Sequence, residues 1–247
     1  MCEYPENTEE LDLFPEERLP GNIDVHLADM PEVLDNPTLS KYIVAFFKEE
    51  DETHWCGNGV IVGNLLITVA HVMMEKKEPL PYLFFRFENC IRRVDEKDII
   101  YDGRKELDKD LDHIHHDLIV FKLSNIASPF VLNTTDFDIS SFFYARKYME
   151  QKKSTSLSTY KILMKKGFKN DRKLWLKKES FEWNNCFLTT GDFIKGDSGT
   201  AIYRENIVYG ILIGRTVHPN YSLKDKIFNF LDARYIQETI SKWFSHN

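Results

Sequence analysis

Gly196-Asp197-Ser198-Gly199, read together with Thr68-Val69-Ala70-His71 and His116-Asp117-Leu118-Ile119, decides how this 247-residue chain is organised. A serine hydroxyl is protonated and weakly nucleophilic at neutral pH, so a serine that attacks an acyl carbon needs a base beside it. A neutral imidazole serves, provided that a buried carboxylate fixes its tautomer and stabilises the imidazolium that forms. The three segments supply one residue of each kind: His71, then Asp117 at the start of an apolar run, then Ser198. Asp108, Asp110 and Asp112 compete for the carboxylate role, but no apolar run starts at any of them.

Working outward, Gly57-Asn58-Gly59-Val60-Ile61-Val62 leads into Leu66-Ile67-Thr68-Val69-Ala70-His71. Asp117-Leu118-Ile119-Val120-Phe121-Lys122-Leu123 follows, and Gly196-Asp197-Ser198-Gly199-Thr200-Ala201 precedes Val208-Tyr209-Gly210-Ile211-Leu212. In these three blocks, taken in this order, the chain resembles the trypsin/chymotrypsin family of serine peptidases, over residues 41 to 245. The resemblance implies an all-β fold: two chymotrypsin-like six-stranded β-barrels, the active site between them, and a C-terminal helix. It implies a serine endopeptidase in which Ser198 is the nucleophile, His71 the base and Asp117 the orienting carboxylate. Gly196 and Ser198 then donate backbone N–H groups to the developing oxyanion.

In secreted members of that family, the carboxylate matching Asp197 pairs with an amino terminus freed by proteolysis. No Arg-Ile-Val-Gly-Gly junction precedes His71 here, so the oxyanion hole is either preformed or ordered by a partner. For the substrate pocket, Asp192 lies six residues before Ser198, where trypsin-like members carry the carboxylate that selects Arg or Lys. The opposite wall departs from the family pattern and reads Ile213-Gly214-Arg215-Thr216. Two readings stand: Asp192 selects basic residues, or Arg215 neutralises it and selects acidic ones. Gly214 and Thr216 are expected to offer main-chain edges to a substrate strand.

Hydrophobic residues make up 43% of the chain and charged residues 29%, as in an ordinary globular protein with a core. No apolar run approaches the roughly 18 residues needed to cross a bilayer. The first residues, Met1-Cys2-Glu3-Tyr4-Pro5-Glu6, lack the basic start and apolar stretch of a secretory signal, so a cytoplasmic protein is expected. The cysteines agree. Cys56 occupies one position of a family disulfide, but Val72 stands where its partner is usual, and Ile194 where another disulfide cysteine often precedes the nucleophile. Free, buried thiols of the disulfide-free branch are expected.

Residues 1–37 read as an acidic arm, 38–130 as the first barrel, and 131–247 as linker, second barrel and helix, with a connection near 124–145. β-rich runs occur at 41–47, 58–63, 65–69, 82–87, 117–123, 159–164, 181–188, 207–213 and 227–231. Asp232 is placed to cap a helix whose one face carries Tyr235, Ile236, Thr239, Ile240, Trp243 and Phe244. Residues 1–35 hold eleven acids against Arg18, a net −10 within a whole-chain charge of −7, which leaves +3 elsewhere. Residues 146–178 hold twelve Lys or Arg against Glu150 and Asp171. That stretch reads as a solvated face, a nucleic-acid or acidic-partner surface, or a dock for the arm.

His113-Ile114-His115-His116 lacks the Cys pair or second His cluster of a zinc site and reads as a polar loop. No metal, nucleotide or organic cofactor is expected. The partners expected are a protein or peptide substrate and an activating or inhibitory protein; membrane is not expected, and nucleic acid is disfavoured. A catalytically silent barrel that binds or regulates is the alternative to the peptidase, and an esterase a third reading. An unrestrained intracellular peptidase would digest its host, so narrow specificity or latency is expected.

Overall fold

Short runs of β-branched and aromatic residues build two sheets that share a core. The computed structural model describes residues 36–75, 78–88, 90–104, 117–135, 137, 142–150, 153–165, 169–171, 180–182, 186–190, 192–216 and 227–246. The arm over residues 1–35 and the histidines at 113, 115 and 116 lie outside them. A short helix, α1 (Pro37–Ser40), is capped by Asn36, whose side chain accepts from the Thr38 N–H at 3.1 Å. The strands β1 (Ile43–Phe47), β2 (Trp55–Val62) and β3 (Leu65–Thr68) follow. A 3-10 turn over Ala70–Met73 leads to a small hairpin, β4 (Met74–Glu75) and β5 (Glu78–Pro79). Next come β6 (Tyr82–Phe87), β7 (Cys90–Asp95), β8 (Ile99–Asp102) and β9 (Ile119–Lys122). These strands, β4 and β5 apart, form a seven-stranded curled sheet in the order β7-β6-β1-β2-β3-β9-β8.

The second half holds β10 (Val131–Leu132), β11 (Phe142–Met149), β12 (Ser154–Lys165), β13 (Lys169–Asp171), β14 (Ser180–Glu182), β15 (Cys186–Thr190), β16 (Ala201–Arg204), β17 (Ile207–Thr216) and β18 (Ile227–Asp232). The order β17-β16-β11-β12-β15-β18 closes on itself because β18 also pairs with β17, and β10 adds a parallel edge on β17. This half is therefore a closed six-stranded barrel. The first half is a curled seven-stranded sheet in which, among the described residues, β7 and β8 do not pair. The architecture is that of the chymotrypsin fold, with this difference in how the first half closes.

Three expected features shift in detail. The run 181–188 splits between β14, which pairs with β13, and β15, which joins the barrel. The connection placed at 124–145 is shorter, because β10 and the first residues of β11 fall inside it. The strands β7, β8 and β16 carry charged residues on short segments such as Cys-Ile-Arg-Arg-Val-Asp, which hides their period from a hydrophobicity reading.

One cluster of buried residues runs through both halves, from Phe46, Ile61, Ile67 and Phe121 to Ala201, Val208, Ile211 and Leu231. The terminal helix α2 (Ala233–His246) closes it. Asp232 caps this helix, accepting from the Arg234 N–H at 2.9 Å, and the Arg234 guanidinium returns to the same carboxylate at 2.7 Å. Ile236 and Ile240, four residues apart, share the buried face. Each such side chain contributes roughly 1.5–3 kcal/mol on burial. Phe244, expected on that face, is half exposed, because the helix end runs past the core. No described helix is long and apolar enough to cross a membrane.

Candidate active site

His71 sits in the 3-10 turn after β3, and Asp117 two residues before β9, the neighbour of β3 in the sheet. Pairing of Thr68 with Ile119 therefore brings the ends of the two strands side by side. Asp117 is 3% exposed and its carboxylate accepts twice from His71: from the backbone N–H at 2.9 Å and from Nδ1 at 2.6 Å. An ionised carboxylate only accepts, so Nδ1 carries the proton and the other ring nitrogen, Nε2, is left as the basic edge. Burial works to lower the His71 pKa, but the charge and hydrogen bond of Asp117 outweigh it and hold the imidazole above its ordinary value.

Ser198 is brought to the same region by Asn58 of β2. The Asn58 N–H donates to the Ser198 carbonyl at 2.7 Å, while its carbonyl accepts from the Thr68 hydroxyl at 2.6 Å. Its side-chain amide donates to Thr200 Oγ1 at 3.0 Å and to the Gly196 carbonyl at 3.4 Å. Asn58 is 1% exposed, so these bonds are made away from water and fix the serine loop to the first sheet. Gly57, beside it, separates Val72 from Ser198: a Cβ there would lie 2.5 Å from Val72 Cγ2 and 3.2 Å from the Ser198 carbonyl. Gly199 makes the approach possible. Its φ is +83°, and a Cβ there would stand 1.9 Å from the Asn58 carbonyl oxygen.

The segment Ile194 to Asp197 is a turn closed by the Asp197 N–H on the Ile194 carbonyl at 3.0 Å. Gly196, the third residue, has φ +99°, whereas Lys195 keeps a negative φ, which makes the turn type II. Among the described residues, the N–H groups of Gly196 and Ser198 donate to no protein acceptor, as an oxyanion hole requires. The Ser198 hydroxyl lies 3.5 Å from the Ile213 carbonyl, and among the described residues no hydrogen bond joins it to His71. The indole of Trp55 covers the turn, with ring atoms where a Gly196 Cβ would need to be, 2.7 Å away.

Asp197 is 1% exposed and accepts from the Ile194 N–H at 2.8 Å. Burial pushes its pKa up, against the opposing pull of that N–H and of Lys147. Lys147, on β11, sits 3.6 Å from Asp197 Oδ2 and donates to Asp192 at 3.0 Å (Oδ1) and 3.1 Å (carbonyl). Sequence reasoning placed Lys147 in a basic stretch, yet it and Arg146 are both buried. On β11, Phe143, Ala145 and Lys147 share one face, of which Phe143 and Ala145 are core, but Arg146 on the other face is buried too, so alternation by itself does not single Lys147 out.

Of the pocket residues, Asp192 has a side chain that is 72% exposed and is engaged by Lys147. Gly214, Arg215 and Thr216 pair on β18 through their backbones, opposite Asn229, Phe228 and Ile227. Pairing of β17 with β16 ends at Ile211, so among the described residues 213–216 bond a strand on one side only. The side chains of Arg215 and Thr216 lie outside the described residues. Cys56 is a free thiol whose Sγ donates to the Phe46 carbonyl at 3.5 Å, and burial pushes its pKa up to about 12. Among the described residues, no cluster of three metal-ligating side chains occurs.

No family model and no curated protein matches the sequence. Solved structures do match in shape. Neuropsin, a serine protease expressed in mouse brain, superposes with a TM-score of 0.58 at 14% identity, covering 84% of this chain and 96% of that one. Kallikrein-related peptidase 10 gives 0.55 at 18% identity, covering 87% of this chain and 100% of that one. The catalytically active tobacco etch virus protease, complexed with product, gives 0.52 at 14%, covering 83% and 78%. At these identities the likeness is one of fold: this chain has the chymotrypsin fold of the serine proteases.

Proposed function

We propose that this protein is a serine endopeptidase that hydrolyses peptide bonds through an acyl-enzyme on Ser198. The observation that carries the reading is the double contact of His71 with buried Asp117, on the sheet to which Asn58 ties the Ser198 loop. In the acylation step the Ser198 hydroxyl leaves the Ile213 carbonyl and bonds His71 Nε2, a contact that tightens with substrate bound. Oγ then attacks the carbonyl carbon and its proton passes to Nε2. The oxyanion is held by the Gly196 and Ser198 N–H groups. His71 returns the proton to the departing amine, and water deacylates the enzyme by the same route.

The substrate is a polypeptide that adds as a strand along the one-sided edge at 213–216. Cleavage after Arg or Lys rests on Asp192, and Lys147 weakens that basis. A carboxylate that shares a lysine and is 72% exposed has little need of a substrate cation. The enzyme is narrowly selective or awaits a protein partner.

The test is cleavage-site profiling of a mixed peptide library under reducing conditions, with Ser198→Ala as control. Cuts that vanish with Ser198→Ala establish the peptidase, and their sequence context sets the pocket preference. Absence of Ser198-dependent cuts, with and without candidate partners, would make this a barrel that binds without cleaving.

A further inference from the structure

Between the two residues whose N–H groups face the oxyanion position stands a carboxylate with almost no access to water. Asp197 is 1% exposed, and an isolated buried carboxylate either takes up a proton or pulls its loop outward to solvent. Neither outcome leaves the Lys195–Gly196 turn as it is, because the same carboxylate accepts the Ile194 N–H at 2.8 Å and so closes that turn from within. The cation that answers it comes from the barrel wall. Lys147 is itself only 9% exposed in its side chain, lies 3.6 Å from Asp197 Oδ2, and packs its ammonium 5.1 Å from the Phe193 ring centroid.

Lys147 pairs with Ser156 of β12, and β16 holds the same strand at Tyr144 and Ala145, so the ammonium is presented from a strand of the barrel. The next residue, Tyr148, points to the other face and packs against Trp55 with centroids 5.6 Å apart. Trp55 in turn covers Gly196. Consecutive residues of one strand thus hold the turn from two directions, one through charge and one through packing.

We propose that Lys147 is a positioning residue that keeps the oxyanion turn in its working conformation by neutralising Asp197 from within the chain. The inference rests on the peptidase reading and specifies how its oxyanion hole is ordered. The ammonium belongs to the chain itself, so ordering the hole needs no new amino terminus and no partner.

A fluorophosphonate probe on the full-length protein tests this. Ser198 Oγ forms a bond to phosphorus, fluoride departs, the serine proton passes to His71, and the phosphoryl oxygen occupies the oxyanion position. The wild type labels at Ser198. Lys147→Met is expected to label about 10²–10³-fold more slowly, the loss typical of a missing oxyanion donor, and Lys147→Arg to recover part of the rate. Ile236→Val, remote from the site, controls for mere destabilisation and keeps the wild-type rate. The double variant Lys147→Met/Asp197→Asn removes the charge that Lys147 neutralises, and is expected to fold and to recover much of the labelling rate lost in Lys147→Met. Labelling of Lys147→Met at the wild-type rate, or a double variant that folds yet stays about 10²–10³-fold slow, overturns the proposal while leaving the peptidase reading intact. Failure of the wild type to label, both alone and with candidate partners, overturns both.

Discussion

Asp117 holds His71 at two points, through the backbone N–H at 2.9 Å and Nδ1 at 2.6 Å. A single side-chain contact would leave the imidazole free to swing about χ1. Fixing the backbone and the ring together sets both the position of the turn and the tautomer, so the basic nitrogen is defined before substrate arrives.

Asp117→Asn preserves the shape but offers an amide where a carboxylate is needed. The wrong tautomer follows, and kcat for Ser198-dependent cleavage is expected to fall by about four orders of magnitude. A loss below tenfold would show that Asp117 does not orient the base.

The raised His71 pKa has a sign that titration reads. The base must be neutral, so kcat/KM is expected to rise with pH through a midpoint above the ordinary 6.5. The stabilising pair of charged His71 and Asp117 is fully present below 6.5 and lost as pH rises through the folded-state pKa. Between pH 5.5 and 8, the melting-temperature gap between wild type and Asp117→Asn is therefore widest at the acid end. A gap that widens with rising pH contradicts this.

Gly199→Ala places a methyl group 1.9 Å from the Asn58 carbonyl at a residue with φ +83°. Backbone strain and overpacking add to about 4 kcal/mol. That is a fall of at least about 8 °C in Tm for a chain of this size. An unchanged melt would mean that the serine loop does not lie against β2.

Asn58→Ala leaves Thr200 Oγ1 and the Gly196 carbonyl without their buried donor. The expected cost is about 1–3 kcal/mol, read as a lower urea midpoint at unchanged slope.

Cys56 and Cys90 separate by reactivity. Only a thiolate alkylates, and with a pKa near 12 the Cys56 thiol is almost wholly protonated at pH 8. Exposed Cys90 is expected to react with iodoacetamide in the native protein, and Cys56 only after unfolding. Equal peptide-level modification of both in the native state would refute the raised pKa of Cys56.

Much of the fold is legible along the chain because its signals are local. Leu66-Ile67-Thr68 and Ile119-Val120-Phe121 are short apolar runs, and Asp232 precedes a helical stripe, so strands and cap follow from neighbours alone. His71, Asp117 and Ser198 are candidates for the same reason: each stands at the edge of such a run. Where such signals fail, as in Cys90–Asp95, the strand is charged and buries only Val94, and it is pairing with Tyr82–Phe87 that makes it a strand.

What the sequence by itself determined is thus the strongly apolar elements and the chemistry carried at their ends. Tertiary structure alone decided what surrounds that chemistry. Lys147 is one basic residue among twelve in its stretch of sequence, and its letter is the same whether it meets water or Asp197. Closure of the β11–β18 barrel brings the two together across 50 residues and turns a surface charge into a buried counterion. Asn58 and Gly199 gain their roles in the same way, because hydrogen bonds and collisions between distant segments exist only once the two halves have packed.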